Sequence, residues 1–468
     1  MQQPVAKIFS DRVASGATPG SVYAVFDSDG IVFGEGFGVA TSAAAGEGAP
    51  PTLDTAFRIA SCTKSFTAAA LLILRDRGLV SLDDPIDSHL TVGPFLLDGI
   101  PMDAPTVGML LSMSGGLPTD DPWADRLEPM TAGAFDAMAR DGFRLITIPG
   151  TAYEYSNLGF ALIGRLIEKL TGRSYVEVVN AELLAPLGLS GIGYDTGVEG
   201  TDGIATGFVR RDGEWLAMPE PGPGAFSPIG GLYASARGLA AWASWLSDGF
   251  TVSPDPSPVL GRPTRREMQQ ACRTIAIDAG ESFLGRGYGY GLVAELDAQR
   301  RRVVSHSGGY PGFGSHMRWN PESGIGIIAF ENARYSPMYQ LATTALELIL
   351  DARPVPAEVT LWPETAAARE AVEQLLVTWD DTLAASFSAP NVHMDEPFPL
   401  RRQRLEALVG QAGISVGSLR PLAESDPTSE SGAHIAWTVA GEAGAVRLEL
   451  RMTPEARPLV ETLNVSAT

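Results

Sequence analysis

A serine and a lysine three residues apart, Ser61 and Lys64, are the first residues that could do chemistry. They follow a short strand-like lead at 57–59 and open an apolar-periodic segment that ends at Gly78, a pattern typical of an amphipathic helix. Residues three apart share one face of a helix, so the lysine amine can reach the serine hydroxyl. A serine becomes nucleophilic when a base removes its proton, and a desolvated lysine can be that base. We therefore predict a nucleophile and base at this helix start.

Lysine usage singles out Lys64. Only three of the 34 basic residues are lysines, namely Lys7, Lys64 and Lys169. Arginine keeps its proton near neutral pH, whereas lysine can lose it when its surroundings lower its pKa. Taken alone, the motif also fits an N-cap serine beside an exposed lysine, so its chemical interpretation depends on further motifs.

A tyrosine and an asparagine two residues apart, Tyr155 and Asn157, form a second candidate. They follow a Pro-Gly loop at 149–151 and precede a helical pattern over 158–170. A tyrosine hydroxyl near cations can relay a proton, and an asparagine amide can both donate to and accept from a substrate amide. A helix-capping asparagine beside a packing tyrosine explains the same residues without chemistry.

The run His306-Ser307-Gly308-Gly309 is the third candidate. It closes a strand-like segment predicted over 302–305. Glycines allow a substrate to lie against a strand edge, and they allow a backbone N–H to point at an oxyanion. A glycine-rich turn between two strands is an equally consistent interpretation.

Apolar periodicity predicts the elements that position these motifs. The middle of the chain, from about 60 to 250, has helical periodicity broken by Gly/Pro loops. Strands at both ends with helices between them predict one mixed α/β unit, whose antiparallel sheet is assembled from the two ends. The predicted strands cover 21–26, 31–39, 288–295, 302–305, 316–319 and 326–330, and the predicted terminal helices cover 5–14 and 338–350.

A second domain is predicted after residue 356. Two prolines within 351–356 resist helix continuation and indicate a linker. Helices predicted over 364–385 and 400–410, followed by turn-separated strands up to residue 465, indicate a small α+β module. We predict domains at 1–352 and 357–468, the second with a cystatin-like or NTF2-like fold.

Charge and composition exclude several classes of partner. The formal net charge of −21 disfavours nucleic acids and anionic membrane surfaces, both of which attract cationic proteins. No apolar run is long enough to span a membrane, and the first fifteen residues lack the pattern of a secretory signal. Two cysteines make no disulfide framework, and the five histidines include no pair at metal-ligand spacing. We expect a cytoplasmic protein without metal or cofactor.

Two other residues resemble nucleophiles. Ser415 lies in a G-x-S-x-G pattern at 413–417, but this pattern lacks the strand-turn-helix context that a nucleophile elbow requires. Cys62 follows Ser61 directly, so on a helix its side chain points about 100° away from that serine. We expect Ser415 not to be catalytic and Cys62 to be a small buried thiol.

Together, the order and spacing of the three motifs resemble the serine β-lactamase-like and DD-peptidase family, which joins class C β-lactamases, DD-peptidases, D-aminopeptidases and related esterases. The resemblance covers residues 5–350, and segments 110–116 and 230–235 are similar to further signatures of this family. It implies an α/β (α+β) fold of the β-lactamase/transpeptidase-like class. This fold has an antiparallel sheet from both chain ends and an all-helical subdomain, and here a small C-terminal α+β domain follows it.

The resemblance also implies roles for the first two motifs. Ser61 matches the nucleophile and Lys64 its partner base. Tyr155 matches the group that relays a proton to the leaving group, and Asn157 the contact to a substrate amide. Which of Lys64 and Tyr155 is the base in acylation is disputed within the family, so we assign them jointly.

In the third motif, His306 stands where many β-lactamases have lysine, and Ser307 and Gly308 complete the H-x-G form seen in some DD-peptidases and D-peptidases. All three are implied to bind substrate, and the backbone N–H groups of Ser61 and Gly309 are implied to form the oxyanion hole. Histidine near neutral pH is only partly charged. A carboxylate-bearing β-lactam is therefore a less obvious substrate than a neutral ester, an amide or a D-amino-acid derivative.

The resulting prediction is a serine hydrolase that forms an acyl-enzyme on Ser61 and cleaves small esters, amides or D-amino-acid peptides. Two alternatives share the fold: an acyltransferase, and a penicillin-binding or sensor module that acylates without turnover. A scaffold that acts through its C-terminal module is a third alternative. The expected partner is a small-molecule substrate, with no nucleic acid and no membrane, and a homo-oligomer is allowed for.

Overall fold

The computed structural model describes residues 1–41, 48–194, 197–275, 283–352, 359–414 and 427–467. The chain folds into two units, Met1–Val355 and Pro356–Thr468. The strands of the first unit are β1 (Gly20–Asp27), β2 (Gly30–Gly38), β3 (Ala56–Arg58), β4 (Phe95–Leu97), β5 (Ile100–Met102), β6 (Phe143–Leu145), β7 (Ile192–Gly193), β8 (Phe208–Arg211), β9 (Glu214–Ala217), β10 (Tyr233–Ser235), β11 (Arg273–Thr274), β12 (Phe283–Tyr288), β13 (Val293–Asp297), β14 (Arg302–Tyr310), β15 (Phe313–Trp319) and β16 (Gly326–Glu331).

The α-helices of this unit lie before, between and after these strands. They are α1 (Gln2–Ala14), α2 (Thr63–Asp76), α3 (Val107–Leu111), α4 (Asp121–Ala124), α5 (Ala132–Arg140), α6 (Asn157–Thr171), α7 (Tyr175–Val179), α8 (Ser227–Gly230), α9 (Ala236–Ser247), α10 (Arg262–Met268) and α11 (Met338–Ala352). Short 3₁₀ turns cover Ala60–Cys62, Ile86–Ser88 and Asp248–Phe250, and a π-helical turn covers Asn180–Leu184.

An eight-stranded antiparallel sheet dominates the first unit, in the order β11-β12-β13-β14-β15-β16-β1-β2. The early strand β1 pairs with the late strand β16, so both ends of the unit build this sheet, as the sequence predicts. On β1, Val22 and Ala24 join the core that contains α2, whereas Tyr23 and Val25 join the core that contains α1 and α11. Successive strand residues face opposite sides, and helices cover both faces, so the strand is buried from Gly20 to Phe26.

The helix that follows Ser61 runs through the centre of the larger core. Twelve of the fourteen residues of α2 are buried, so its apolar surface extends around the whole helix. The Phe66 ring stacks on Trp242 at a centroid distance of 4.0 Å, and the Trp242 indole N–H donates to Ser65 Oγ at 3.0 Å. This packing fixes the rotation of α2 and therefore the direction of the side chains at its start.

Two strand predictions near the third motif are wrong. The segment predicted as one strand over 288–295 is two strands, β12 and β13, joined by a turn. Gly291 in this turn has φ +70°, and a Cβ atom there would lie 2.5 Å from the Lys64 carbonyl oxygen. The strand predicted to end at Ser305 continues to Tyr310, so the four residues 306–309 lie inside β14 and not in a turn.

The second unit contains a three-stranded antiparallel sheet in the order β17-β18-β19, together with four helices among its described residues. The predicted helix over 364–385 is broken, because the Asp380 carboxylate accepts the backbone N–H groups of Thr382 and Leu383 and starts a new helix. The cystatin-like or NTF2-like assignment stays a prediction. The elements are α12 (Pro363–Val377), α13 (Asp381–Phe387), α14 (Pro390–Asp395), α15 (Phe398–Ala412), β17 (His434–Ala440), β18 (Ala445–Met452) and β19 (Val460–Ala467).

Candidate active site

Ser61 lies in the 3₁₀ turn that leads into α2 and lines a cavity of about 310 Å³. The preceding residue, Ala60, has φ +46°, a left-handed backbone conformation that is unfavourable for residues other than glycine. This bend leaves Ser61 partly exposed while Cys62 is fully buried. The Cys62 thiol lies 3.3 Å from the carbonyl oxygen of His306, so it is a buried packing group, as expected.

Lys64 lies beneath Ser61 with its amine at the meeting point of three groups. Its Nζ atom is 2.9 Å from Ser61 Oγ, 2.6 Å from Asn157 Oδ1 and 2.9 Å from the carbonyl oxygen of Ile229. The last two atoms accept hydrogen bonds and cannot donate them. A neutral amine has two hydrogens and one lone pair, so these two acceptors take the hydrogens and the lone pair is left facing the serine hydroxyl.

Burial favours this neutral form. Lys64 is completely buried, and desolvation lowers its pKa to about 8, against the opposing effect of the carboxylates of Asp121, Asp125 and Asp120. At pH 7, roughly one lysine in ten is then neutral. An exposed lysine would be almost entirely protonated at the same pH, so the position of Lys64 raises its capacity as a base.

Asn157 holds Lys64 at this point. Its side-chain amide is buried: Oδ1 accepts from Lys64, and Nδ2 donates to Asp121 Oδ1 at 2.6 Å. Both ends of the amide are therefore bonded within the protein. Because Nδ2 carries a second hydrogen, the expected contact of Asn157 to a substrate amide stays a prediction.

A carboxylate missed by the sequence analysis orients the start of α6. Asp120 Oδ1 accepts the backbone N–H of Asn157 at 2.7 Å, and Asp120 Oδ2 accepts that of Leu158 at 2.9 Å. The first N–H groups of a helix have no partner within the helix, and here a residue from a distant loop supplies one. The Asp-Asp pair at 120–121 was the only signal in the sequence.

Tyr155 stands on the other side of Lys64. Its ring centroid is 5.0 Å from Lys64 Nζ, and its ring meets that of Tyr288 edge to face. Burial raises the pKa of Tyr155 well above its ordinary value, and a hydrogen bond with Ser61 only partly offsets this effect. The phenol therefore carries its proton in the free protein, which suits an acid better than a base.

The glycines of β14 allow this strand to pack closely against the segment that leads into Ser61. A Cβ atom on Gly308 would lie 2.2 Å from the carbonyl oxygen of Ile59 and equally close to Ser315 Oγ. Only glycine fits this approach. Gly309 and Ser307 line the same cavity as Ser61, and the Ser307 hydroxyl lies 2.9 Å from Nδ1 of the buried His316.

His306 has both ring nitrogens bonded within the protein. Nδ1 lies 2.6 Å from the carbonyl oxygen of Ser307, which can only accept, so Nδ1 carries the hydrogen. Desolvation, with a smaller effect of Lys64, lowers the pKa of His306 to about 3 and keeps the ring neutral. The Tyr288 hydroxyl therefore donates to Nε2, at 2.9 Å. The neutral ring differs from the partly charged histidine that we expected, because the ring is buried in β14. The role of His306 in substrate binding stays a prediction.

The cavity contains the three motifs and several side chains that the sequence analysis missed. Its lining combines one histidine, two carboxylates and one arginine with four tyrosines. The lining residues are Ser61, Asp121, Asp125, Tyr153, Tyr155, Ile275, Arg286, Tyr288, Val293, His306, Ser307, Gly309 and Tyr335.

A buried ion pair holds the loop that carries the two cavity carboxylates. Arg58, at the end of β3, pairs with Glu128, and the Tyr310 hydroxyl donates to the same carboxylate at 2.6 Å. The Arg58 guanidinium also lies over the rings of Tyr233 and Tyr310. This pair connects the strand before Ser61 to the segment that carries the two carboxylates.

Ser415, the serine of the G-x-S-x-G pattern, lies outside the described residues, so the expectation that it is not catalytic stays a prediction.

Comparison with known proteins decides the family. The family model described as Beta-lactamase matches residues 5–351, about three quarters of the chain. The chain belongs to the Beta-lactamase family. Membership confirms the resemblance, the β-lactamase/transpeptidase-like fold and the enzyme class, a serine hydrolase, that the three motifs predict.

Several Beta-lactamase family relatives are similar to this chain at low identity. Penicillin-binding protein 4* of Bacillus subtilis (strain 168) is 24% identical over 358 residues, which cover 72% of this chain and 73% of that protein. Protein flp of Staphylococcus aureus (strain N315) is also 24% identical, and the match covers 71% of this chain and 63% of the relative. The chain thus spans less than two thirds of the second relative.

Two solved structures share the Beta-lactamase fold. The octameric penicillin-binding protein homologue from Pyrococcus abyssi has a TM-score of 0.64 at 23% identity and covers 98% of this chain and 99% of its own. The D-amino acid amidase from Ochrobactrum anthropi SV3, complexed with D-phenylalanine, has a TM-score of 0.60 at 24% identity. The match covers 75% of this chain and 99% of the amidase chain.

Proposed function

We propose that this chain hydrolyses small esters, amides or D-amino-acid peptides through an acyl-enzyme on Ser61. The observation that carries the proposal is the position of the Lys64 amine, 2.9 Å from Ser61 Oγ with two acceptors at its other sides. A neutral amine held in this way accepts the serine proton without any movement of the protein.

In acylation, Ser61 Oγ attacks the substrate carbonyl carbon while its proton passes to Lys64 Nζ. The carbonyl oxygen becomes negatively charged, and the backbone N–H groups of Ser61 and Gly309 are the proposed donors that stabilise it. The tetrahedral intermediate collapses by breaking the bond to the leaving group. Tyr155, which is protonated and bonded to Ser61, gives its proton to this group and recovers one from the Lys64 ammonium.

Deacylation reverses these roles with water as the nucleophile. Lys64, neutral again, takes a proton from a water molecule that attacks the acyl carbon. The ester bond to Ser61 Oγ breaks, and the serine regains its proton from Lys64. The sum is one water consumed and one acid and one alcohol or amine released, with the protein unchanged.

The substrate range follows from the uncharged His306. With its pKa lowered to about 3, this histidine offers no cation to a substrate carboxylate, and both its nitrogens already have partners. Neutral acyl groups and amides suit such a site better than carboxylate-bearing β-lactams. Two proteins with similar solved structures, a D-amino acid amidase and EstCE1, a hydrolase with promiscuous acyltransferase activity, agree with this range.

The test compares wild type with Ser61→Ala on a panel of p-nitrophenyl esters, D-amino-acid p-nitroanilides and nitrocefin. We expect Ser61→Ala to lose at least about a thousandfold in kcat/KM, whereas Ser10→Ala, on the exposed face of α1, keeps full activity. A fluorophosphonate should label Ser61 alone, as read by peptide mass spectrometry. Full turnover by Ser61→Ala would overturn the proposal.

Two readouts of the same assay separate the alternatives. A stoichiometric burst without steady turnover would favour a module that acylates and stops. Product that shifts from acid to ester when an alcohol is added would favour an acyltransferase.

Domain organisation, assembly and location complete the proposal. We assign the hydrolase to residues 1–352 and an accessory role to residues 357–468. A homo-oligomer is proposed because the similar Pyrococcus abyssi protein is described as octameric, and sedimentation analysis of the full chain tests it.

Among the described residues, no helix has both the length and the apolar composition needed to cross a bilayer. The cytoplasmic location stays a prediction.

A further inference from the structure

Two carboxylates in the catalytic cavity have no part in the proton transfers described above. Asp121 accepts from Asn157 Nδ2 at 2.6 Å through Oδ1, and Asp125 accepts from the Tyr335 hydroxyl at 2.8 Å through Oδ2. Within the described part of the chain, the second oxygen of each carboxylate has no hydrogen-bond partner. Asp120 is different, because both of its oxygens accept N–H groups of α6.

The cations near these carboxylates are engaged elsewhere. Arg286 also lines the cavity, but its guanidinium pairs with Glu295 at 3.0 Å and lies over the Tyr339 ring. Arg126 is exposed to solvent, and its charge is only the last of the effects that act on the pKa of Asp125. Arg334 lies over the Tyr335 ring. Lys64 also faces the carboxylates, but catalysis requires its neutral form. In the reactive state, Asp121 and Asp125 therefore face the cavity without an ion pair to any described residue.

An uncompensated carboxylate at this depth is costly. Desolvation raises the pKa of Asp125 to about 6, even though the Tyr335 hydroxyl and the Lys64 charge oppose the shift. A cation brought by the substrate would offset this cost. The cavity walls also include the rings of Tyr153 and Tyr335, and aromatic faces attract an ammonium group.

We propose that Asp121 and Asp125 form a subsite for a protonated amine of the substrate, so that the enzyme prefers aminoacyl esters and amides with a free amino group. This inference rests on the proposed hydrolase function and names its substrate class. A cavity of about 310 Å³ has room for a small substrate, and the proposal takes the amine and the scissile carbonyl to belong to the same residue.

The test is a specificity ratio, the kcat/KM for alanine p-nitroanilide divided by that for its N-acetylated counterpart, measured for both configurations. Acetylation removes the charge and leaves the scissile bond unchanged. We expect wild type to favour the free amine by about tenfold or more. Asp121→Asn and Asp125→Asn should each lower this ratio about tenfold. The ratio cancels any change in Lys64 basicity, because both substrates use the same chemistry.

Asp141→Asn is the matched control, since it removes one negative charge at the exposed end of α5, away from the cavity. It should leave the ratio unchanged. If wild type shows no preference for the free amine, or if both cavity variants keep the wild-type ratio, the inference is overturned. Hydrolysis of neutral p-nitrophenyl acetate through Ser61 would then still stand, so the two failures are distinguishable.

A second measurement avoids the question of whether the variants fold. Butylammonium and butanol have the same chain length, and only the first is charged. Both are tested as competitive inhibitors of p-nitrophenyl acetate hydrolysis by the wild-type full chain at pH 7.5. We expect butylammonium to inhibit at a concentration about tenfold lower, and equal inhibition by the two compounds would contradict the amine subsite.

Discussion

The carboxylate of Asp120 binds the first turn of α6 at Asn157, whose backbone N–H lies 2.7 Å from Oδ1. Asn157 accepts a hydrogen bond from Lys64, and its own backbone is held by a side chain 37 positions earlier in the chain. The same helix start follows directly on Tyr155. The Asp120 carboxylate thus positions the residue that accepts a hydrogen bond from Lys64, two positions after Tyr155.

Asp120→Ala is expected to lower kcat/KM by about 10–100-fold and the free energy of unfolding by about 1–2 kcal/mol, because it removes the cap from α6. Asp120→Asn keeps one acceptor oxygen and should lose less of both. Ester hydrolysis and urea denaturation measure the two effects. Ser174→Ala, which removes the N-cap of α7, is the control. It should lose similar stability and keep its kcat/KM, and an equal catalytic loss in both would refute a positioning role for Asp120.

The pH profile should report Lys64. Because its pKa is lowered to about 8, the neutral base becomes scarcer below that pH, and kcat/KM should fall about tenfold per unit. Lys64→Arg should remove at least about a hundredfold of the activity, since arginine stays protonated. Lys7→Arg, at an exposed ion pair on α1, is the control and should be unaffected.

The same shift affects folding. Between about pH 8 and the ordinary lysine value of 10.5, unfolded Lys64 binds a proton that folded Lys64 has lost. The contribution of this residue to the free energy of unfolding therefore rises with pH across that window. For activity, the contradicting result would be a kcat/KM profile that has no inflection near pH 8 and is unchanged by Lys64→Arg.

His306 should remain neutral throughout the working pH range. Nitrogen NMR of the imidazole is expected to show hydrogen on Nδ1 and none on Nε2 from pH 5 to 8, since burial lowers its pKa to about 3. Tyr288→Phe removes the donor to Nε2 and should cost about 1–3 kcal/mol of stability, because a buried acceptor is left unpaired. A protonation midpoint near pH 6.5 would show instead that the imidazole titrates like an unperturbed histidine and is partly charged near neutral pH.

Gly308→Ala should damage both folding and catalysis. Its new methyl group would meet the carbonyl oxygen of Ile59 at 2.2 Å, so β14 must move away from the nucleophile turn. We expect the free energy of unfolding to fall by about 1–3 kcal/mol and kcat/KM to fall as well. Gly133→Ala in α5 is the control: a Cβ atom there meets nothing within 4 Å, and the change should stabilise by about 0.5–1 kcal/mol. Thermal unfolding distinguishes the two variants.

The sequence was informative where chemistry and local periodicity coincide. Ser61 and Lys64 were predictable because their spacing matches one helical face and because lysine is so rare in this chain. The antiparallel sheet was predictable from apolar runs at both ends. The break at Asp380 was not, because a continuous apolar pattern outweighed the signal of one capping side chain.

The partners of the motif residues were not predictable, because they come from segments that are distant in sequence. Tyr288, which donates to His306, lies in a segment that the pattern predicts as one strand, and only the turn at Gly291 brings it to the ring. Asp120 and Asp121 lie at the start of α4, in a segment that the buried Arg58–Glu128 pair holds in place. Local patterns carry no information about such long-range contacts, so the neutral state of His306 was not predictable either.

The pairing of β1 with β16 determines when the enzyme becomes competent during synthesis. Ser21 stands opposite Glu331, so the central ladder of the sheet closes only after nearly the whole first unit has left the ribosome. Contacts between such distant parts of a chain form slowly, since a long loop must be ordered first. A nascent chain that already carries Ser61 therefore lacks β14 beside it, and we expect no hydrolysis until the last strands have joined the sheet.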